Sequence, residues 1–467
     1  MKKTIIIVLA LLPAFTFGQA AIQKSIALSS SYDAGHELIP VSSGGYAIFG
    51  RQTLSLGAKT DVFYLRVDAQ GNQTAYKIYG DGNASETFGK GVVALQNGWL
   101  LVGSKTVIGS SGWMLRTNAA GDLLWSKTVA GTTRINQVVP LPDGRLLATG
   151  QATGGLMFLM ELTEDGTIIW QQNYTSGEGR DLYVTMGGNA CVVLGGTQIW
   201  KIHLASRQLQ WEKPVVPPTF GPTNRTEFLV LNGIVQVDKG QFAIIGSAYT
   251  DLITELHSGH FAAVWSESGV PLWQKFLHET TNSSYDQNEG FSIFTLPNTK
   301  TILFAGSDDG KIAITRTDLK GKVVEDTEIT APGPILGLSL IKEAGFYAMT
   351  GAVLTGSVNT YFYRSGSNDL AKIAAPQPGS ESGNRAENFR VIHQPDAARL
   401  TVETSTVAER EGVFQLLDVS GRVVWEKKVG LAAGDNRLEL ETGRLTPGLY
   451  WLRDLRGNEP ARAFMQP

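Results

Sequence analysis

Gly45-Tyr-Ala-Ile-Phe-Gly50 is a short apolar segment that closes on a glycine, and it decides the fold because the chain repeats it. Six further segments share this pattern: Gly98–Gly103, Gly144–Gly150, Asn189–Gly195, Gly240–Gly246, Lys300–Gly306 and Gly345–Gly351. Their closing glycines follow one another at intervals of 45 to 60 residues. Self-similarity at such a period predicts one supersecondary unit copied seven times.

A second signature is a four-residue turn between two strands of alternating polarity. Five units carry it, with the turns Asp68–Gly71, Asn118–Gly121, Thr163–Gly166, Ser266–Gly269 and Asp318–Gly321. The opening side chain can bond to the backbone two residues on, and the closing glycine accepts the positive φ of a hairpin bulge. These turns therefore predict tight hairpins at equivalent places in the repeats.

Tryptophans recur after the turns. Trp125, Trp170 and Trp273 each stand four residues beyond a turn glycine, and Trp211 keeps the place in a fourth unit whose turn has decayed. An indole at a repeated position is expected to pack between neighbouring sheets. A further apolar run upstream of each glycine segment, such as Gly91–Leu95, completes four strands per unit.

Sheets of this kind bury their faces only against neighbouring copies, and closing them into a ring removes the two end faces. We therefore predict an all-β fold: a seven-bladed β-propeller over residues 21–373, followed by a small immunoglobulin-like β-sandwich. The seventh unit lacks an outer strand after Tyr361–Arg364, while the segment Gln23–Leu28 has no partner nearby in the sequence. The N-terminal segment is expected to complete the last sheet.

Residues 1–20 read as a signal peptide, with Lys2 and Lys3 before an apolar run and small residues at the end. We therefore expect an exported protein at the outer cell surface or outside the cell, with no later membrane span. The formal net charge of -3 predicts no nucleic-acid partner. The single cysteine, Cys191, lies in an apolar run and is expected to be buried packing.

The polar segment 374–388 is rich in proline, glycine and serine and predicts a linker. Beyond it, residues 389–467 contain short strands separated by turn residues, the pattern of a β-sandwich. The predicted strands are Leu400–Glu403, Gly412–Leu417, Arg422–Trp425, Arg437–Leu440 and Gly448–Leu452.

Two resemblances follow from these motifs. Residues 60–71, with the glycine strands and turns, resemble the propeller repeats of large exported proteins of Bacteroidetes. The C-terminal succession around Asp418, Gly421, Gly448 and Tyr450 resembles the type A sorting domain of the type IX secretion system. This second resemblance implies recognition by that secretion machinery, passage through the outer membrane, and later removal of the domain.

Loops between the units are expected to converge on one face of the ring, around the mouth of its channel. The polar residues placed there are Asp33, His36, Glu37, Glu86, Arg134, Arg180, Asp181, Asp286 and Glu289. Carboxylates at this mouth would accept hydroxyl or cation contacts, and arginines would pair with carboxylates. The alternative is that these residues cap strands and satisfy turn backbones.

No catalytic residue, cofactor or metal site is predicted. His257 and His260, together with Glu255, are candidate metal ligands, but we interpret them as solvated residues of a long connection in the fifth unit. The first functional hypothesis is a non-catalytic binding or structural module for an extracellular glycan or protein. The alternative is a propeller enzyme, either a polysaccharide hydrolase or lyase or a quinoprotein-like dehydrogenase. The turns followed by tryptophan resemble the tryptophan-docking repeats of quinoprotein dehydrogenases, and this resemblance would imply pyrroloquinoline quinone and calcium.

Overall fold

The computed structural model describes most of the chain between residues 21 and 466. The described residues are 21–28, 32–53, 59–80, 84–220, 226, 228–250, 256–282, 289–296, 299–308, 310–331, 333–343, 346–354, 357–365, 390–394, 399–406, 410–418, 423–432, 434–441, 448–454 and 462–466. They form β-strands and connections with no α-helix, so the all-β prediction is confirmed. The predicted signal peptide 1–20 and linker 374–388 lie outside the described residues.

The described residues between 21 and 365 contain 28 strands. They are β1 (Ile22–Ile26), β2 (Tyr32–Pro40), β3 (Tyr46–Thr53), β4 (Thr60–Val67), β5 (Gln73–Tyr79), β6 (Ser85–Leu95), β7 (Gly98–Thr106), β8 (Ser110–Thr117), β9 (Leu123–Val129), β10 (Thr132–Pro140), β11 (Leu146–Ala152), β12 (Leu156–Leu162), β13 (Ile168–Ser176), β14 (Asp181–Val184), β15 (Ala190–Gly195), β16 (Gln198–His203), β17 (Gln208–Pro214), β18 (Phe228–Asp238), β19 (Gln241–Tyr249), β20 (Leu256–Ser266), β21 (Pro271–Asn282), β22 (Glu289–Leu296), β23 (Thr301–Asp308), β24 (Lys311–Asp318), β25 (Val323–Ile329), β26 (Ile335–Lys342), β27 (Tyr347–Leu354) and β28 (Val358–Arg364).

These strands fall into consecutive antiparallel groups of four, as in a propeller. One parallel bridge, between Tyr32 of β2 and Val358 of β28, joins the first and last groups into an eight-stranded sheet. We number the groups in chain order: sheet 1 is β2–β5, sheet 2 is β6–β9, sheet 3 is β10–β13, sheet 4 is β14–β17, sheet 5 is β18–β21 and sheet 6 is β22–β25. Sheet 7 consists of β26, β27 and β28 with β1 as its fourth strand. The pairing of Ile22 with Arg364 and of Ile26 with Thr360 confirms that the N-terminal segment completes the last sheet.

Each of the repeated glycines lies in the second strand of its sheet, opposite the first strand. A Cβ on Gly150 would stand 2.1 Å from the carbonyl oxygen of Arg134, and one on Gly351 would stand 2.0 Å from that of Leu336. In both sheets the register of the first strand shifts next to this contact. The glycine is needed because the bulged first strand presses its backbone against the second.

The turns adopt the predicted conformation. In the first, Asp68 Oδ1 accepts hydrogen bonds from the amides of Gln70 at 2.9 Å and Asn72 at 2.8 Å, and Gly71 has φ +74°. The decayed turn of sheet 4 places Arg207 in the left-handed region, with φ 59°. Positive φ is therefore retained even where the glycine is absent.

Tryptophans pack on the turn of the following sheet, as predicted. A Cβ on Gly321 would stand 2.8 Å from the ring of Trp273, whose indole N–H donates to Leu319 O at 2.9 Å. Trp211 makes the same contact with sheet 5 by donating to Glu267 O at 3.1 Å. The indoles are therefore wedges between sheets.

Apolar cores lie between consecutive sheets of the described residues. Sheets 1 and 2, 2 and 3, 3 and 4, 4 and 5, 5 and 6, and 6 and 7 each share a buried cluster. Sheet 7 also shares one with sheet 1, where Phe362 and Ala348 join Ile48 and Phe63. Cys191 is buried in the cluster between sheets 3 and 4, as expected, and burial raises the pKa of its thiol to about 12.

The C-terminal module has seven strands among its described residues: β29 (Arg390–Gln394), β30 (Arg399–Thr406), β31 (Arg410–Asp418), β32 (Val423–Leu431), β33 (Gly434–Glu441), β34 (Gly448–Asp454) and β35 (Arg462–Gln466). One sheet has the order β29-β30-β33, and the other has the order β32-β31-β34-β35. Leu400 and Leu440 of the first sheet share a buried core with Phe414 and Leu452 of the second. Two sheets facing one core form a sandwich.

Candidate functional site at the central tunnel

A cavity of about 470 Å³ lies where the first strands of the sheets meet. Every one of the seven sheets contributes lining residues: Glu37, Val92, Val93, Ala94, Gln137, Val138, Val139, Pro140, Asp181, Gly233, Ile234, Phe291, Ser292, Ile293, Leu338, Ser339 and Leu340. The first strands therefore surround a common axis. We call this cavity the central tunnel.

Asp181 is a polar residue of the tunnel wall that both flanking sheets contact. Its Oδ1 accepts from Gln137 Nε2 of sheet 3 at 2.9 Å and from the amide of Leu182 at 2.9 Å. Its Oδ2 accepts from the amide of Ile234 of sheet 5 at 3.0 Å. One buried carboxylate thus joins three consecutive sheets.

Other side chains repeat this joining role around the axis. Asn232 of sheet 5 donates to the carbonyl of Gly290 at 2.8 Å. Ser292 Oγ of sheet 6 accepts from the amide of Leu340 at 3.1 Å. Ser339 Oγ of sheet 7 accepts from the amide of Leu38 at 3.3 Å and donates to Glu37 Oε1 at 3.3 Å. Polar residues of the first strands therefore form hydrogen bonds between neighbouring sheets.

Asp33, His36 and Glu37 lie on β2 of sheet 1. Asp33 is buried and its Oδ2 accepts from the amide of Leu28 at 2.8 Å, which holds the end of the N-terminal segment. His36 Nε2 accepts from Arg51 Nε at 2.8 Å. Burial, and then the charge of Arg51, lowers the pKa of His36 well below its ordinary value, so this imidazole is neutral.

The remaining predicted mouth residues mostly pair with protein groups. Glu86 is buried against Lys105, with Oε1 and Nζ 2.9 Å apart. Arg134 reaches Glu178 at 3.1 Å, and Arg180 lies 3.9 Å from the same carboxylate. Asp286 lies outside the described residues, and Glu289 begins β22. Among the members of the predicted set that the structure describes, only Glu37 and Asp181 line the tunnel.

Asp33 and Asp181 accept hydrogen bonds from backbone amides, as in the alternative raised from the sequence. The other described residues of the set with known contacts pair with side chains: His36, Glu37, Glu86, Arg134 and Arg180. Sequence reasoning missed Gln137, Ser292 and Ser339, which line the tunnel and join sheets. Their positions in the sequence could have indicated this role, because each is a polar residue in the apolar run that precedes a glycine segment and forms the first strand.

The interpretation of His257 and His260 as solvated loop residues is wrong. Both lie on β20 and are buried. His260 Nε2 hydrogen-bonds the carbonyl of Ser307 at 2.8 Å, and His257 stacks on Phe220 with ring centroids 5.8 Å apart. The prediction failed because β20 begins at Leu256, so both histidines lie within the sheet between β19 and β21 and not in a connection.

The tunnel can offer carboxylate, amide and hydroxyl oxygens within an otherwise apolar wall. Among the described residues that line it, none is a lysine or arginine. Pyrroloquinoline quinone is a tricarboxylate that would need lysine, arginine or calcium partners, and both oxygens of Asp181, one of the two carboxylates of the lining, already accept hydrogen bonds from protein groups. The lining therefore does not fit this cofactor.

The C-terminal motif residues fall on strands where they are described. Asp418 ends β31 and pairs with Tyr450 of β34, which Gly448 begins. Gly421 lies outside the described residues. The motif thus spans two neighbouring strands of one sheet.

This geometry defines a β-propeller repeat protein. The chain matches the family model PQQ_2, described as outer membrane protein assembly factor BamB, over residues 110–426, and it belongs to that family. No curated protein matched the chain. A solved structure, Raptor of Chaetomium thermophilum, is similar with a TM-score of 0.47 and 12% identity, over 75% of this chain and 29% of that one. The chain thus spans less than a third of that protein.

No helix among the described residues is long and apolar enough to cross a membrane.

Proposed function

We propose that the chain is a seven-bladed β-propeller that binds an extracellular glycan or protein at the tunnel face and does no chemistry there. The observation that carries this proposal is the use of the tunnel's polar residues as structural ties, with Asp181 bonded to three sheets. Groups held in this way form a fixed recognition surface.

The matching family supports a binding role. It is named for an outer membrane protein assembly factor, and assembly requires the binding of other proteins. The tunnel wall suits a neutral ligand with hydroxyl or amide groups, because Glu37, Gln137 and Ser339 offer oxygens among apolar neighbours.

Export by the type IX secretion system is the second part of the proposal. It is supported by the signal-peptide pattern of residues 1–20, by the Asp418 to Tyr450 motif, and by the two-sheet module that holds it. We propose that this module is an immunoglobulin-like sorting domain that directs the propeller to the cell surface or the medium.

The binding proposal is tested with the mature chain, residues 21–467, on arrays of glycans and of surface proteins. We expect saturable binding that Glu37→Gln weakens, because Glu37 lines the tunnel. Glu164→Gln is the control, since Glu164 lies on an outer turn. A polysaccharide-degradation screen runs in parallel. Catalytic turnover, or equal binding by both variants, would contradict the proposal.

The export proposal is tested with a reporter that carries a signal peptide and residues 389–467. In a bacterium with type IX secretion, we expect the reporter at the surface or in the medium, and in a strain without the secretion pore we expect it in the periplasm. A reporter that stays periplasmic in both strains would refute the sorting role and leave the binding proposal standing.

A further inference from the structure

A cluster of ionisable side chains lies between sheets 5 and 6, away from the tunnel lining. His278 comes from β21, Asp308 from the end of β23, and Asp326 and Glu328 from β25. His278 Nδ1 lies 3.2 Å from Asp308 Oδ2, and its Nε2 lies 2.9 Å from Asp326 Oδ1. One donor atom each from His278, Asp308 and Glu328 lie within 4.8 Å of one another.

An irregularity of β21 directs His278 towards sheet 6. The register with β20 shifts where Ser258 pairs with Thr280 and His260 pairs with Leu277, so β21 has an extra residue there. His278 itself has φ 52°, in the region that favours glycine. A strand bulge changes the direction of a side chain. Backbone strain such as this positive φ is concentrated at functional sites.

The cluster carries an excess of negative charge at a partly desolvated place. The side chains of His278 and Asp308 are only 11% and 13% exposed. Lys311 contacts Glu328 Oε2 at 2.9 Å and offers one positive charge against three carboxylates. Three carboxylates thus face two basic groups, Lys311 and His278, whose ring nitrogens lie against Asp308 and Asp326. The cluster has one acid more than it has bases, an imbalance that a bound cation would offset.

We propose that His278, Asp308 and Glu328 form a binding site for a divalent transition metal of the Zn²⁺ type. Imidazole nitrogen with carboxylate oxygen is a donor set that zinc accepts, with bonds of about 2.0 to 2.2 Å. Two ligands of a tetrahedral zinc then stand about 3.4 Å apart. The 3.2 Å between Nδ1 and Oδ2 is close to that spacing.

The surroundings orient the imidazole for this role. Its second nitrogen, Nε2, faces Asp326 at 2.9 Å and Thr315 Oγ1 at 2.8 Å. A carboxylate on the distal nitrogen is the usual partner of a metal-bound imidazole. The metal would join sheet 5 to sheet 6, since its ligands come from both, and a water would complete the tetrahedron.

The test is equilibrium dialysis of the untagged mature chain against Zn²⁺, followed by metal analysis. We expect one equivalent of Zn²⁺ per chain, lost in Asp308→Asn and in Glu328→Gln. Asp326→Asn should keep the site and weaken it about 10- to 100-fold, because Asp326 only orients the ring. His203→Gln, a histidine on sheet 4, is the matched control and should bind as the wild type does.

Three results would overturn the proposal: no bound equivalent in the wild type, equal loss in Asp326→Asn and Asp308→Asn, or loss in His203→Gln. Equal loss in the two aspartate variants would show simple charge attraction, since each removes one negative charge. X-ray absorption of the zinc-loaded chain supplies a second readout and should show one imidazole with oxygen ligands. Circular dichroism checks that each variant is folded.

Discussion

At the scale of single residues, the repeated glycine acts through close backbone contact. Gly150 and Gly351 each face a carbonyl oxygen of the neighbouring first strand at a distance that no side chain allows. The sequence predicted these glycines as the mark of a repeat. It could not give the reason for them, because the contact depends on a bulge in a strand some 15 residues earlier.

Gly150→Ala is expected to lower the free energy of unfolding by about 2 to 3 kcal/mol, because the new methyl group overlaps the carbonyl oxygen of Arg134. Urea denaturation measures the change. Gly109→Ala is the control, since nothing lies within 4 Å of the position its Cβ would take. Equal stability of the two variants would contradict the steric account.

His36 makes stability depend on pH. Its pKa is lowered in the folded chain, so below about pH 6.5 the unfolded chain binds a proton that the folded chain does not. The wild type should therefore lose stability relative to His36→Gln on acidification, by up to about 1.4 kcal/mol per pH unit. Urea titrations between pH 7 and pH 5 measure this difference, and parallel curves would contradict the assignment.

At the scale of strands and turns, the fold was largely readable from the sequence. Alternating polarity placed strands such as β4 and β12, and turn chemistry placed the hairpins, because both are local properties. Sheet 5 was misread around His257 and His260, where long strands replace the expected loop. The cluster around His278 was missed because its partners stand 30 and more residues away in the sequence.

Trp273→Phe tests the docking of an outer strand on the next sheet. It removes the hydrogen bond to Leu319 O and part of the contact with Gly321, which should cost about 1 to 2 kcal/mol. Faster amide hydrogen exchange in β24 and β25 is the expected readout. Trp425→Phe, the same substitution in the C-terminal module, is the control and should leave the exchange rates of β24 and β25 unchanged. Unchanged exchange of these strands in Trp273→Phe would contradict the packing of this indole between sheets.

At the scale of the whole molecule, closure depends on the two ends of the propeller. Sheet 7 takes β1 as its fourth strand and shares a core with sheet 1. The turn glycine Gly71 of sheet 1 also lies against Phe362 and Lys24 of sheet 7. The sequence predicted this arrangement because an orphan strand at one end matched a missing strand at the other. The hydrogen bonds between sheets around the tunnel could not be predicted from the sequence, since they join residues that are distant along the chain.

The central claim is that the sheets form a closed ring, and hydrogen exchange of a chain that lacks residues 21–28 tests it most directly. Removing β1 should speed amide exchange in β26–β28, more than 300 residues away in sequence, and in sheet 1 beside it, while sheets 3 to 5 keep their protection. Unchanged exchange in β26–β28 would contradict the ring and indicate an open stack of sheets.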